Sequence, residues 1–325
     1  METNSSINVL VTGGSGYIGH RIVKALHQLR HTVTSVDKVH PKEKGIKFPK
    51  GTKVINGDLK DASVAKRAVR GIDIVVHLAA NIGSLTYMHE HQAEILQENC
   101  AIDVTLYPAM ADAKVKTILY SSSSMVYQRA SKYPYTEADL ENISPPINVY
   151  GLSKLVGEYF CKSFHEQYGL NYVIMRYHNV YGPGEDSKGS TPGEIHVIPA
   201  LIEKVLSGQY PLEFLGGLNA TRPFVYIDDT VEATVRLFKE ALKGNSNVVN
   251  EDFNIGPKKA TKILDLGKLI WDILGDGRPF KYTVKEAKGE TSVRREADIS
   301  KMEKATGWKP KVSLEEGIKH TAAIT

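Results

Sequence analysis

Hydrophobic and polar positions follow two rhythms along the first half of the chain. The apolar run in "INVLVT" is short and dense, as expected of a strand buried on both faces. In the segment that follows, "GYIGHRIVKALHQLR", Ile18, Ile22, Val23, Leu26 and Leu29 fall on one side of a helical repeat, which predicts an amphipathic helix. Dense runs return in "TVTSVD", "KVINGD", "IDIVVHLAA", "KTILYSSS" and "LNYVIMRYHNVYG", with helical segments between them. The second half changes character. Residues 182–222 are rich in Gly and Pro, and the chain from about 256 mixes short helices with polar loops.

Near-continuously apolar strands that alternate with helices predict an α/β fold: a Rossmann-type doubly wound parallel sheet, covered on both faces. The change of character predicts a smaller C-terminal substrate-binding lobe. Residues 1–180 with 222–255 are expected to form the sheet domain, and 181–221 with 256–325 the lobe. At 325 residues and 42% apolar composition, the chain can bury a sizeable core. Net charge is +4, with no Lys/Arg block, so no nucleic-acid partner is expected. The two cysteines, Cys100 and Cys161, lack metal-ligand spacing. They read as free thiols in a reducing compartment, hence a cytoplasmic protein with no metal site. The first apolar run, Ile7–Val11, is far below the ~18 residues of a membrane span, and no later run approaches that length, so no membrane association is expected.

"VTGGSGYIG" places Gly13, Gly16 and Gly19 between a strand and a helix. The first glycine permits a tight turn. The second lets backbone approach a pyrophosphate at the helix N-terminus, and the third allows close helix–strand packing. Tyr17 and Ile18 lie in the same turn. Asp37 ends the next strand, where a carboxylate accepts hydrogen bonds from ribose hydroxyls and repels a 2′-phosphate; this favours NAD over NADP. Asp58, with Leu59 beside it, either reaches the adenine edge or caps the next helix. Leu78, Ala79 and Ala80 end the fourth strand in residues that let a flat cofactor lie close; His77 before them reads as structural.

Tyr150 and Lys154 in "VYGLSKLVGEYF" share a helix face. A nearby ammonium favours a phenolate, and a phenolate is a general base toward a hydroxyl. Ser123 ends the serine-rich strand, on the side where open α/β sheets place ligands.

This combination, with "HLAA", "RYHNVYGP", "TRPFVYIDD", "FNIG" and the closing "GWKPKVSLEEGI", resembles the extended short-chain dehydrogenase/reductases, the NAD-dependent nucleotide-sugar epimerase/dehydratase group. The resemblance runs from about residue 7 to 320. It implies Tyr150 as general base and acid, Lys154 as the group that tunes it and holds the nicotinamide ribose, and Ser123 as their hydroxyl partner. It further implies Asn99 at the cofactor, and Asn179, Arg222 and Arg295 at the substrate diphosphate, which suits a guanidinium fork. Gly83, Ser124, Met125, His178, Val197 and Phe214 are expected along the substrate, with Gly83 giving the sugar room. A nucleotide-diphosphate sugar, UDP- or GDP-linked, is the expected partner. A homodimer through residues 92–112 and 149–168 is also implied.

Relatives that dehydrate or decarboxylate the sugar keep carboxylates just after the position of Ser123. GDP-mannose 3,5-epimerases keep a cysteine at the position of Met125 and a lysine near Val197, to which His196 is adjacent. Ser124 and Met125 are neither acid nor base near neutral pH. The resemblance therefore implies C4 epimerisation through a transient 4-keto sugar, which needs no second catalyst at carbon. The segments "AANIGSLTYMHEHQAEILQEN" and "RYHNVYGP" are similar to the GDP-mannose 3,5-epimerases, which leaves a GDP-sugar epimerase at another carbon, or a mutase, as an alternative. An NAD-dependent dehydrogenase and a non-catalytic NAD-binding regulator are the alternatives from other classes.

Overall fold

A computed structural model describes residues 6–185, 196–286 and 294–323. The dense apolar runs form parallel strands: β1 (Asn8–Thr12), β2 (Thr32–Asp37), β3 (Lys53–Asn56), β4 (Ile74–His77), β5 (Thr117–Ser123) and β6 (Asn171–Tyr177). Past β6 come three short pairs. β7 (Val180–Tyr181) lies beside β10 (Val225–Tyr226), β8 (Leu212–Leu215) beside β13 (Tyr282–Lys285), and β9 (Thr221–Arg222) beside β12 (Thr261–Lys262). β11 (Glu251–Ile255) returns to complete a seven-stranded sheet of order β3–β2–β1–β4–β5–β6–β11, parallel throughout. The direction of winding reverses between β1 and β4, which opens a crevice at their carboxyl ends.

The helices are α1 (Gly19–Gln28), α2 (Ala62–Ala68), α3 (Leu85–Glu90), α4 (Gln92–Asp112), α5 (Val149–Tyr168), α6 (Val197–Leu206), α7 (Ile227–Leu242), α8 (Ile263–Leu274), α9 (Ser300–Thr306) and α10 (Leu314–Ala322). The apolar stripe of α1 is buried at Ile22, Val23 and Leu26. It joins Leu237 and Phe238 of α7 and Met302 of α9 on one sheet face. On the other face α2, α4 and α5 contribute Val64, Leu106, Tyr107 and Cys161. The lobe has its own core, with Leu201 of α6, Phe214, Trp271 of α8 and Ile318 of α10.

Two expectations need correction. The run "LNYVIMRYHNVYG" is not one strand: β6 stops at Tyr177, because the fully buried His178 side chain is drawn under the sheet end to the Tyr135 hydroxyl at 3.1 Å. The C-terminal segment is not all lobe. Ala297, Ile299, Met302 and Trp308 pack into the sheet-face core. Trp308 donates its indole N–H to the Asp229 carbonyl at 3.0 Å, and the Asp229 carboxylate accepts the backbone N–H groups of Lys311 and Val312, each at 3.0 Å. The motifs "TRPFVYIDD" and "GWKPKV" thus meet and stitch the chain end to α7.

Among the described residues no helix is long and apolar enough to cross a membrane, and no group of three or more His, Cys, Asp or Glu is placed to hold a metal ion.

Candidate active site

One continuous cleft of about 2000 Å³ runs along the carboxyl ends of the strands into the lobe. Its floor begins at the glycine turn. Gly13 has φ +65°, and a Cβ there would stand 2.9 Å from the Ala79 nitrogen; at Gly19 a Cβ would overlap the Gly13 carbonyl. The absence of side chains at these points leaves backbone open at the start of α1, a cradle for a pyrophosphate. Asp37 accepts the Ser15 N–H at 2.9 Å and the Val39 N–H at 3.0 Å, bracing the turn against the end of β2. A carboxylate has about four acceptor sites, so two remain for ribose hydroxyls. Tyr17, Ile18, Asp58, Leu59, Leu78, Ala79 and Ala80 line the same wall. Asp58 also accepts the Lys60 N–H at 2.9 Å, so it holds its own turn as well as facing the cleft.

Beneath this floor the Thr12 hydroxyl accepts the Leu78 and Ala79 N–H groups, both at 3.1 Å. Its own proton therefore goes to His77 Nδ1, 2.6 Å away, and His77 Nε2–H donates to the buried Asp103 at 3.1 Å. His77 is structural, as expected. Asp103 carried no sequence signal, because it faces inward from the middle of a long helix.

Asn99 does not reach the cleft wall. Its amide donates to the Asn81 carbonyl at 3.1 Å and to Ser153 Oγ at 3.0 Å, and its oxygen accepts the Asn81 N–H at 2.6 Å. It ties the loop after β4 to α5.

Midway along the cleft, Ser123, Tyr150 and Lys154 converge. Asn148 caps α5 by accepting the Tyr150 and Gly151 N–H groups. Tyr150 faces Ser123 but is buried, and burial holds its phenol above the ordinary range; the nearby Ser123 hydroxyl acts the other way. Lys154 lies 5.9 Å from the Tyr150 ring centre and 5.1 Å from that of Tyr120. Burial pushes its ammonium down to about 8, with Asp103 partly opposing. The expectation that Lys154 draws Tyr150 down is thus not met in the chain by itself: desolvation disfavours phenolate and ammonium alike. Met125 packs against Tyr150 with Met88 and Ile95.

At the lobe end Arg222 and Arg295 are buried side by side, and neither faces a carboxylate among the described residues. Arg222 donates to the Thr221 carbonyl at 2.7 Å. Burial, and then the Arg295 charge, push it down to about 9. Arg295 Nε and the Asn179 side-chain oxygen are buried without a hydrogen-bond partner among the described residues. Neighbouring Arg294 pairs with Glu296 at 2.8 Å. Buried, mutually repelling guanidiniums are stable only where an anion joins them.

Ser124, Val197 and Phe214 line the cleft as expected. Gly83 does too, but a Cβ there would meet the Tyr87 ring at 2.5 Å, so its smallness admits Tyr87 rather than leaving space for a ligand. His178 is not a wall residue. It is fully buried behind the site, and burial pushes it down to about 3. One pair escaped the sequence reading. Glu185 and His196 meet at 2.5 Å on the cleft wall, and Glu185 raises the imidazole.

A glycine cradle at a switch point, a Ser–Tyr–Lys constellation beside it and an unpaired arginine pair beyond it define a dinucleotide-dependent enzyme of anionic substrates. The family model described as NAD dependent epimerase/dehydratase family matches residues 9–256. A putative UDP-glucose 4-epimerase of Methanocaldococcus jannaschii is 33% identical, over 96% of both chains. The crystal structure of a UDP-glucose 4-epimerase with UDP-glucose from Thermotoga maritima superposes with TM-score 0.85 at 30% identity, covering 98% of each chain. A GDP-mannose 3,5-epimerase of Arabidopsis thaliana is 25% identical, over 98% of this chain and 82% of the relative. The chain belongs to the NAD dependent epimerase/dehydratase family, and NAD is its cofactor.

Proposed function

We propose that this protein is a UDP-sugar 4-epimerase, an isomerase that oxidises the C4 hydroxyl of its substrate and reduces it again from the opposite face. The observation that carries this reading is the Ser123–Tyr150 pair in the cleft, with the inert Ser124 and Met125 beside it. Tyr150 takes the C4 hydroxyl proton and later returns it. Ser123 shares the substrate's hydrogen bond, and Lys154 holds the nicotinamide ribose and stabilises the phenolate. When bound, NAD supplies reversible hydride acceptance and a positive charge that favours the phenolate. Gly13, Gly16, Gly19 and Asp37 hold its pyrophosphate and ribose. Arg222, Arg295 and Asn179 fix the substrate diphosphate while the 4-keto sugar turns over. UDP is favoured over GDP by the names of the relatives above 30% identity. The protein acts in the cytoplasm as a homodimer; exposed Val104 on α4 and Tyr159 on α5 suit an interface between copies.

A second reading has one observation in its favour. His196, next to the position where 3,5-epimerases carry a lysine, is a titratable base on the cleft wall. Incubating the enzyme with UDP-glucose and with GDP-mannose in D2O separates the two. C4 epimerisation of UDP-glucose leaves no deuterium at carbon. Deuterium at C3 or C5 would assign carbon-acid chemistry to His196 and discard the main reading. Tyr150→Phe should lose at least about 100-fold in kcat, the lower end for a general acid–base group. NAD binding, followed by calorimetric titration, should persist in that variant.

A further inference from the structure

The strand that ends at Ser123 is held from behind by a buried charge. Tyr150, Lys154 and Glu158 follow one another at four-residue intervals on α5, so they share one face of the helix. That face lies unusually close to β5: a Cβ at Gly157 would overlap the Tyr120 hydroxyl, and one at Gly151 would stand 2.7 Å from the Met125 carbonyl oxygen. At the next point along, Ser122 donates its hydroxyl proton to Glu158 Oε1 at 2.5 Å. Glu158 is itself clamped by Arg176, whose Nε donates to Oε1 at 2.9 Å and Nη2 to Oε2 at 2.7 Å. Arg176 sits directly opposite Ser122 in the β5–β6 register. It also donates to the Tyr127 hydroxyl at 2.6 Å, at the end of the turn that begins at Ser124, and its charge is further balanced by Asp252 at 2.7 Å.

We propose that Ser122 and Glu158 are positioning residues that set the Ser123 hydroxyl against the Tyr150 hydroxyl. Glu158 rides on the helix that carries Tyr150, and Ser122 is the residue before Ser123. Their bond therefore links the strand that carries Ser123 to the helix that carries Tyr150. Arg176 holds both Glu158 carboxylate oxygens with charge-assisted hydrogen bonds and fixes its rotamer, so the link is directional as well as strong. Two hydroxyls must meet within a few tenths of an ångström to share a proton, and about 1 Å of misplacement costs on the order of 100-fold in rate. The kinetic part of this inference rests on the epimerase reading; the geometric part does not.

The test is Ser122→Ala, which removes one donor and leaves the Arg176–Glu158 pair intact, so the fold is retained. In the NAD-bound enzyme kcat should fall by about 10- to 100-fold while KM for the UDP-sugar changes less than about twofold. Ser122→Thr, which keeps the hydroxyl, should restore kcat to within about threefold. Crystal structures of both variants provide a readout free of activity. The Ser123–Tyr150 separation should exceed hydrogen-bond distance in Ser122→Ala and return in Ser122→Thr. An unchanged separation in Ser122→Ala overturns the inference, whatever the rates. A parent enzyme that epimerises no nucleotide sugar overturns the proposed function, and the crystallographic comparison then decides this inference by itself.

Discussion

Burial dominates the chemistry of single residues here. At Lys154 burial outweighs the opposing Asp103 charge, and its pKa drops from the ordinary lysine value to about 8. In the unfolded chain it binds its proton up to 10.5. Between those values the unfolded state holds more protons than the folded one, so stability rises with pH across that window and is lost as pH falls toward 8. Lys154→Met fills the same space without charge. It should be more stable than the parent by about 3–4 kcal/mol at pH 7, on the scale of about 1.4 kcal/mol per pKa unit. Urea denaturation should show this advantage fading as pH is raised past 10, while the variant is catalytically crippled. Met125, by contrast, only packs. Met125→Leu conserves volume and should cost less than about 1.5 kcal/mol, with turnover near that of the parent. A collapse of turnover with folding intact would give Met125 a further role.

At the scale of elements, α5 is the part on which the site depends. Its Asn148 cap fixes where the helix begins, and its two glycines fix how near it comes to β5 and to the turn after it. Neither contact is visible in the helix's own pattern, because glycine inside a helix ordinarily only weakens it. Gly157→Ala must push Tyr120 aside, and Tyr120 underlies Lys154. The expected loss is about 1–3 kcal/mol of stability, as for an overpacked core. The variant should also turn over more slowly, which chemical denaturation and steady-state kinetics would measure on the same preparation. An unaltered protein would show that α5 has room to move away from the sheet.

For the whole molecule, the reversal of strand order between β1 and β4 opens the cleft, and the segments past β6 extend it. Arg222 and Arg295 lie 209 and 282 residues beyond Gly13 along the chain, yet they line the same cleft.

 The proposed homodimer belongs to this scale as well. Light scattering should return about twice the 35.9 kDa chain mass, and Val104→Glu with Tyr159→Glu should return the single mass, since charges placed in an apolar interface are strongly disfavoured. A parent protein of single-chain mass would remove the homodimer.

The sequence by itself determined the sheet, the glycine cradle, the Ser123–Tyr150–Lys154 set and both arginines. Each is written in a local rhythm: dense apolar runs, glycines between strand and helix, a four-residue helical spacing, or a motif of fixed order. Tertiary structure decided the rest. His178 sits within a telling motif, yet its side chain turns inward to Tyr135, and nothing local distinguishes inward from outward at a strand end. Gly83 makes room for Tyr87, not for a sugar. Asn99 braces Asn81 and Ser153 from behind the wall. Glu185 and His196, Asp103 and His77, and Ser122, Glu158 and Arg176 become partners only when distant segments are packed together. Proton affinities follow the same division. Spacing predicts which groups are neighbours, but the water removed from around Tyr150 and Lys154 sets which of their forms is stable, and that depends on everything folded over them.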